Sequence, residues 1–181
     1  MKEVRKILLP MPSVSNGEAA LTRGYNFARR FGAHLAILHV RTDGRDIAPL
    51  AGEGLSGAMV EELMRSAEHE SSRHAHDVHT LFERFAAANP DVPLVSRHSA
   101  NGLPFPSVSF TVLRGVESEI IPSHARLSDF TLVTHPDSGR EVSSSETLHA
   151  VLFDSGRPVV MAPRTPPVGL IKRVCIAWNG T

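Results

Sequence analysis

Short apolar runs alternate with amphipathic segments along the chain. Continuous apolar runs occur at 7–11, 35–40 and 130–133, as in strands that are buried on both faces. Between Ala20 and Phe31, apolar residues recur every three or four positions, which is the spacing of one face of a helix. The pattern therefore predicts buried strands separated by helices.

The predicted elements follow the order βαβαβαβαβ. Strands are expected at 7–11, 35–40, 107–113, 130–133 and 158–162. Helices are expected after the capping boxes that open at Ser15 and Ser143, over 56–88 and around 120–127. Crossover connections of this kind join parallel strands and cover both faces of the sheet. We therefore predict an α/β fold with a five-stranded parallel sheet and helices on both faces.

The carboxyl ends of the strands are the expected place for a ligand. Open parallel sheets bind ligands beyond these ends, where the strand order reverses. In this chain the ends lead into loops at 12–17, 41–55 and 134–145. His39 lies near one of these ends, but its strand is so apolar that we interpret it as a core histidine with satisfied hydrogen bonds.

The charge balance and the cysteine count narrow the possible partners. The 181 residues include 19 Lys+Arg and 19 Asp+Glu, so electrostatic binding to nucleic acid or to anionic lipid is not expected. No apolar run approaches the roughly 20 residues of a transmembrane helix. Cys175 is the single cysteine, and its apolar surroundings in the sequence predict a buried thiol. We predict a cytoplasmic protein that binds neither nucleic acid nor membrane.

Histidines and serines are the remaining candidates for chemistry. Four of the ten histidines lie on the predicted helix at 56–88, but His69 and His76 project away from its apolar stripe and the HExxH spacing is missing. Ser56 lies between glycines, yet no strand precedes it as a nucleophile elbow requires, so we interpret it as the N-cap of this helix. The sequence therefore predicts no metal site and no catalytic residue.

Several segments resemble the universal stress protein family. They are the strand Ile7-Leu8-Leu9-Pro10, the helix and strand from Glu18 to Val40, and the segments 125–133 and 155–161. The resemblance covers about residues 3–163. It implies a Rossmann-like domain of the adenine nucleotide alpha hydrolase-like kind. It also implies pairing with a second such domain through the edge strand Pro158–Ala162.

The last residues resemble the start of a second domain of the same kind. Residues 164–171 are rich in proline and have the composition of a linker. Residues 173–181 then pass from a basic residue through an apolar run into a turn, as residues 6–13 do. We divide the chain into a universal stress protein-like domain at 1–163, a linker at 164–171 and the first strand of an incomplete second repeat at 172–181.

The phosphate loop of the family is degenerate in this sequence. Members that bind ATP or AMP carry Gly-x2-Gly-x9-Gly-Ser/Thr after the fourth strand, because glycines let backbone N–H groups approach phosphate. Only Gly139 matches this pattern. Pro136 replaces the first glycine, and His149 and Ala150 replace the last two motif positions. No cofactor is therefore expected in this domain.

A residual anion site is the remaining candidate for ligand binding. It would consist of Gly139, Arg140, Ser143 and Ser144, at the start of a helix whose dipole favours anions. Capping of the helix by these serines is the simpler interpretation of the same residues.

The function predicted from sequence is binding and assembly in the stress response, without catalysis. The protein is predicted not to be an enzyme and to carry a degenerate nucleotide site. Its partner would be a second copy in a homodimer, or a second universal stress domain of the same chain, at the edge strand Pro158–Ala162. The alternative is a stress switch that binds ATP or AMP at an intact site in a second domain beyond Thr181.

Overall fold

The protein forms a five-stranded parallel sheet with helices on both faces. The structure is a computed structural model and describes residues 3–15, 17–43, 56–95, 106–134, 142–162 and 175. The strands are β1 (Lys6–Pro10), β2 (His34–Arg41), β3 (Ser107–Arg114), β4 (Phe130–Val133) and β5 (Val159–Met161). The helices are α1 (Gly17–Phe31), α2 (Gly57–Ala88), α3 (Glu117–Arg126) and α4 (Val142–Asp154). The predicted order of elements and the α/β class are confirmed.

The strand order is β3-β2-β1-β4-β5, and all the pairs are parallel. β1 lies in the middle, where Ile7 is in register with Leu35 of β2 on one side and with Phe130 of β4 on the other. The chain therefore builds the sheet outwards in one direction to β3 and then in the other direction to β5. This reversal places the topological switch point between β1 and β4.

Two apolar cores lie on opposite faces of the sheet. The larger one joins α1 and α2 to the side chains of Ile7, Leu9 and Leu35, which are fully buried. The smaller one joins α3 and α4 to Leu8 and Val40 on the other face. The alternation of side chains along each strand produces this division.

In the described part of the chain, the two halves of α2 differ in burial. Its buried side chains are Val78 and Phe82, in its second half, whereas Met59 and Leu63 near its start are exposed. The Ser56 hydroxyl accepts a hydrogen bond from the Met59 N–H at 3.3 Å, which confirms Ser56 as the N-cap. The predicted apolar stripe is thus correct, but only its second half is buried in the core.

The start of α4 differs from the prediction. Ser143 was expected to precede the helix as the cap of a capping box, whereas α4 begins at Val142 and places Ser143 inside its first turn. The capping-box pattern was wrong here by one or two positions, because a Ser/Glu pair fits both an N-cap and a first-turn placement.

Some predicted features lie outside the described residues. They include Gly139, Arg140 and the linker at 164–171. Of the predicted strand at 172–181 the structure describes Cys175, whose side chain is exposed, so the prediction of a buried thiol was wrong. None of the described helices has the length and the apolar character needed to span a membrane.

Candidate functional site

A cavity of about 230 Å³ opens at the carboxyl end of β2, between α2 and the start of α3. Pro12, which follows β1, forms part of its wall beside Val40. Its polar lining comes from β2 and the residues after it, from α2 and from α3: His39, Thr42, Glu70, Ser71, His74 and Glu117. The cavity therefore lies at the end of the sheet where the parallel topology predicts ligand binding.

His39 occupies the floor of this cavity and is 2% exposed. Its Nδ1 lies 2.7 Å from the carbonyl oxygen of Met11. Because a carbonyl oxygen only accepts hydrogen bonds, Nδ1 carries the proton and Nε2 presents a lone pair. Among the described residues, Nε2 has no hydrogen-bond partner. The prediction of a satisfied core histidine is thus confirmed for one ring nitrogen and not for the other.

Burial keeps the His39 ring neutral. Loss of hydration lowers the pKa of His39, the bond to Met11 raises it, and the nearby His74 and Arg41 lower it further. The net direction is downward. His39 therefore offers an acceptor, rather than a positive charge, to anything that enters the cavity.

Glu117 faces the cavity from the first turn of α3. Thr147 Oγ1 on α4 donates a hydrogen bond to Glu117 Oε1. Burial raises the pKa of Glu117 to about 7, the bond from Thr147 opposes this shift, and Glu146 adds to it. The carboxyl group therefore changes its charge close to neutral pH.

The lining of the cavity is acidic. Glu70 and Glu117 contribute carboxyl groups, and among the described lining residues there is neither lysine nor arginine. His74 lies 3.9 Å from Glu70 on the same helix, at a position where both side chains remain half exposed. The electrostatic potential inside the cavity is therefore suited to a cation and unfavourable for a phosphate.

A second cavity, of about 500 Å³, lies between α1 and the last turns of α2. Leu21, Leu81 and Phe85 form much of its wall, with Glu18 and Arg84 at its rim. No described buried polar atom without a hydrogen-bond partner belongs to its lining residues. It therefore lacks the unpaired acceptor that distinguishes the smaller cavity.

The anion site predicted from sequence lies mostly outside the described residues. Gly139 and Arg140 lie outside the described residues, and of Ser143 and Ser144 only the position in the first turn of α4 is described. Within the described ranges, no group of three or more His, Cys, Asp or Glu side chains could hold a metal ion.

The sequence analysis did not single out Glu117 or Glu70. A glutamate in the first turn of a helix is ordinarily a solvated residue that interacts favourably with the helix dipole. The one available signal was the position of Glu117 just after the carboxyl end of β3, next to the expected ligand-binding edge.

The chain was compared with known proteins and solved structures. No protein-family model and no curated protein matches it. The universal stress protein UspA from Lactobacillus plantarum superposes on 90% of this chain and 100% of its own, with a TM-score of 0.59 and 18% identity. The chain has the universal stress protein fold. The hypothetical protein MJ0577 superposes on 89% of this chain and 96% of its own, with a TM-score of 0.56 and 19% identity.

The universal stress protein fold includes most of the described helices and strands. The two superposed structures span most of the chain, so the likeness includes the sheet and its two helical layers. At 18–19% identity, the likeness concerns the fold and not the side chains of the site.

Proposed function

We propose that this chain is a non-catalytic universal stress-type protein that acts by assembly through the outer edge of β5. The observation that carries the proposal is the pairing of β5, which is bonded to β4 on one side and to no other described strand. An edge strand with free backbone groups is a template for pairing with another chain.

The two edges of the sheet differ in a way that favours β5. At the β3 edge, residues 93–95 pair with the start of the strand: Val108 N–H donates to the Pro93 carbonyl at 3.0 Å, and Val95 N–H donates to the Val108 carbonyl at 2.9 Å. No described segment pairs with the outer side of β5 in this manner. We therefore favour the β5 edge as the one that takes a partner.

The backbone of β5 presents donors to this outer side. Thr131 N–H bonds the Pro158 carbonyl at 3.0 Å, and Ala162 N–H bonds the Val133 carbonyl at 2.8 Å. Because donors alternate along a parallel strand, the N–H groups of Val159 and Met161 point away from β4. They are available to a second strand.

Apolar side chains accompany these donors. Met161 on β5 is 45% exposed, and Leu152 and Phe153 on the neighbouring α4 are 50% and 81% exposed. Burial of such side chains supplies the main driving force of protein association. We propose that the partner is a second copy of this chain. A second universal stress domain of the same chain would use the same edge.

A degenerate nucleotide site and a non-catalytic role are part of the same proposal. Glu146 on α4 and Glu117, which Thr147 of that helix contacts, add carboxyl groups at this helix, and these oppose the binding of phosphate. Pro12, which has no N–H to donate, lines the cavity at the end of β1. These groups support the view that the domain has no nucleotide cofactor.

The assembly is tested by light scattering on the protein and on two variants. We expect the wild type to have a mass about twice the 19.6 kDa of one chain at high concentration. Met161→Pro removes an outward N–H without costing a bond to β4, and should give the mass of one chain. Met161→Ala keeps the N–H and should remain more associated than the proline variant. A wild type with the mass of one chain at every concentration contradicts the proposal.

Calorimetric titration with ATP tests the degenerate nucleotide site. We expect no stoichiometric binding in the low-micromolar range, because carboxyl groups near the start of α4 oppose the charge of the phosphates. Stoichiometric binding with a micromolar dissociation constant would contradict this part of the proposal and would favour a nucleotide-dependent switch.

A further inference from the structure

We propose that the 230 Å³ cavity binds a small organic cation with several N–H donors, held by His39 Nε2 and by the carboxyl groups of Glu70 and Glu117. An amine, amidine or guanidinium group has the required chemistry. This inference is independent of the assembly through β5, because the lining residues come from β2, α2 and α3 and from Pro12.

The unpaired nitrogen of His39 defines the first requirement on the ligand. A buried acceptor without a hydrogen bond costs on the order of 1–3 kcal/mol, so native structures seldom retain one without reason. Nδ1 donates to the Met11 carbonyl, which fixes the tautomer and leaves Nε2 as an acceptor. A ligand that satisfies it must therefore present an N–H or O–H donor.

The carboxyl groups define the second requirement, which is charge. Glu70 and Glu117 line the cavity, and its described residues include no permanent cation. The Glu117 carboxyl group is desolvated, and taking a carboxylate out of water is costly unless an opposite charge pairs with it. A cationic ligand would supply that charge, whereas a phosphate would add to the repulsion.

Thr147 gives the Glu117 carboxyl group a defined orientation. Its hydroxyl bonds Oε1, which leaves Oε2 as the atom available to a ligand from the cavity. The hydroxyl groups of Thr42 and Ser71 also line the cavity and can accept further N–H donors. The lining is therefore rich in acceptors, as a ligand with many donors requires.

The volume limits the size of the ligand. A water molecule takes up about 30 Å³ of the liquid, so 230 Å³ corresponds to roughly eight waters. Pockets for drug-sized ligands begin at about 300 Å³. The cavity suits a cation of the size of agmatine or putrescine.

The proposal predicts that binding strengthens as the pH rises. Glu117 lies close to Glu146 of α4, and it shares the lining of the cavity with His39 of β2 and with Glu70 and His74 of α2. Its pKa is about 7, so its ionised fraction increases about tenfold from about pH 6 to about pH 8.

Calorimetry with agmatine and with putrescine tests the inference on the full chain. We expect at least one of them to bind the wild type with a stoichiometry of about one, and about tenfold more tightly near pH 8 than near pH 6. Glu117→Gln should weaken the binding near pH 8 and remove most of this pH dependence. Glu119→Gln, on the exposed side of the same helix, is the matched control and should behave as the wild type.

A second variant separates the role of His39 from that of the charges. His39→Leu removes the Nε2 acceptor and should weaken binding about equally at all pH values, with the pH dependence retained. Thermal melting establishes that each variant is folded before its titration is interpreted.

Three results would overturn the proposal. The first is the absence of agmatine and putrescine binding to the wild type at millimolar concentration near pH 8. The second is an unchanged affinity and pH dependence in Glu117→Gln. The third is that AMP binds as tightly as the cations, since an acidic cavity cannot favour both charges.

Discussion

At the scale of single residues, the protein contains titratable groups whose pKa values burial shifts in opposite directions. His34 is buried at the amino end of β2, where both of its ring nitrogens lie 2.9 Å from serine hydroxyls, those of Ser107 and Ser109. Burial and Lys6 lower the pKa of His34, and burial lowers that of His39. Burial raises the pKa of Glu117. The two histidines favour folding at neutral pH, whereas Glu117 favours it at acidic pH.

The sign of each contribution follows from proton linkage. The folded state holds the Glu117 proton up to about pH 7, whereas an ordinary glutamate loses it near 4.5. The stabilisation from Glu117 is therefore complete below about pH 4.5 and is lost as the pH rises through 7. The histidines, with lowered pKa values, stabilise fully above about pH 6.5 and lose this contribution as the pH falls below it.

Glu117→Gln is predicted to change the pH dependence of stability. Relative to the wild type, the free energy of unfolding of the variant should gain roughly 2 kcal/mol between about pH 5 and about pH 8, because the ionised carboxyl group is removed. Urea denaturation at several pH values measures this. The exposed Glu119→Gln serves as control and should follow the wild type. Parallel curves for Glu117→Gln and the wild type would show that Glu117 titrates normally.

The residue scale is also where sequence-based prediction was least complete. His39 could be assigned to the core from its apolar strand, but its unpaired nitrogen depends on the position of Met11, 28 positions away in the chain. Glu117 acquires its environment from Thr147 of another helix. Long-range contacts of this kind leave no pattern in the local sequence.

At the scale of elements, the pattern of apolar residues and the capping residues predicted where strands and helices lie, because these features depend on neighbouring residues in the sequence. Apolar runs and apolar alternation located the five predicted strands, and Ser56 marked the start of α2, where its hydroxyl accepts a hydrogen bond from the Met59 N–H. The lower burial of the first half of α2 could not be predicted, because the stripe of apolar residues continues through that half. The guanidinium group of Arg41 on β2 forms an ion pair with Glu68 at 2.9 Å, which links this part of α2 to the sheet.

The mismatch at α4 has a related cause. Ser143 and Glu146 have the spacing of a capping box, yet α4 begins at Val142. Capping contributes about 1 kcal/mol, and packing of the helix can outweigh it. Ala150 and Val151 of this helix are buried, and Val151 belongs to the smaller apolar core.

At the scale of the whole molecule, the order of the strands determines both proposed activities. The reversal between β1 and β4 leaves β5 at one margin of the sheet and opens the carboxyl ends of β1 and β2 towards α2 and α3. The alternation of elements predicted the parallel sheet, and the family resemblance implied the pairing edge. The asymmetry between the β3 edge, which is paired at its start, and the β5 edge depends on residues 93–95, which the sequence indicated only as an irregular connection.

Amide hydrogen exchange in β5 is the most direct test of assembly through this edge. The N–H groups of Val160 and Ala162 point towards β4 and should be protected at any concentration, which makes them internal controls. Those of Val159 and Met161 point outwards and should become protected as the protein concentration rises, because a second strand then accepts their hydrogen bonds. Fast exchange of Val159 and Met161 at every concentration, with Val160 and Ala162 still protected, would contradict the proposed assembly.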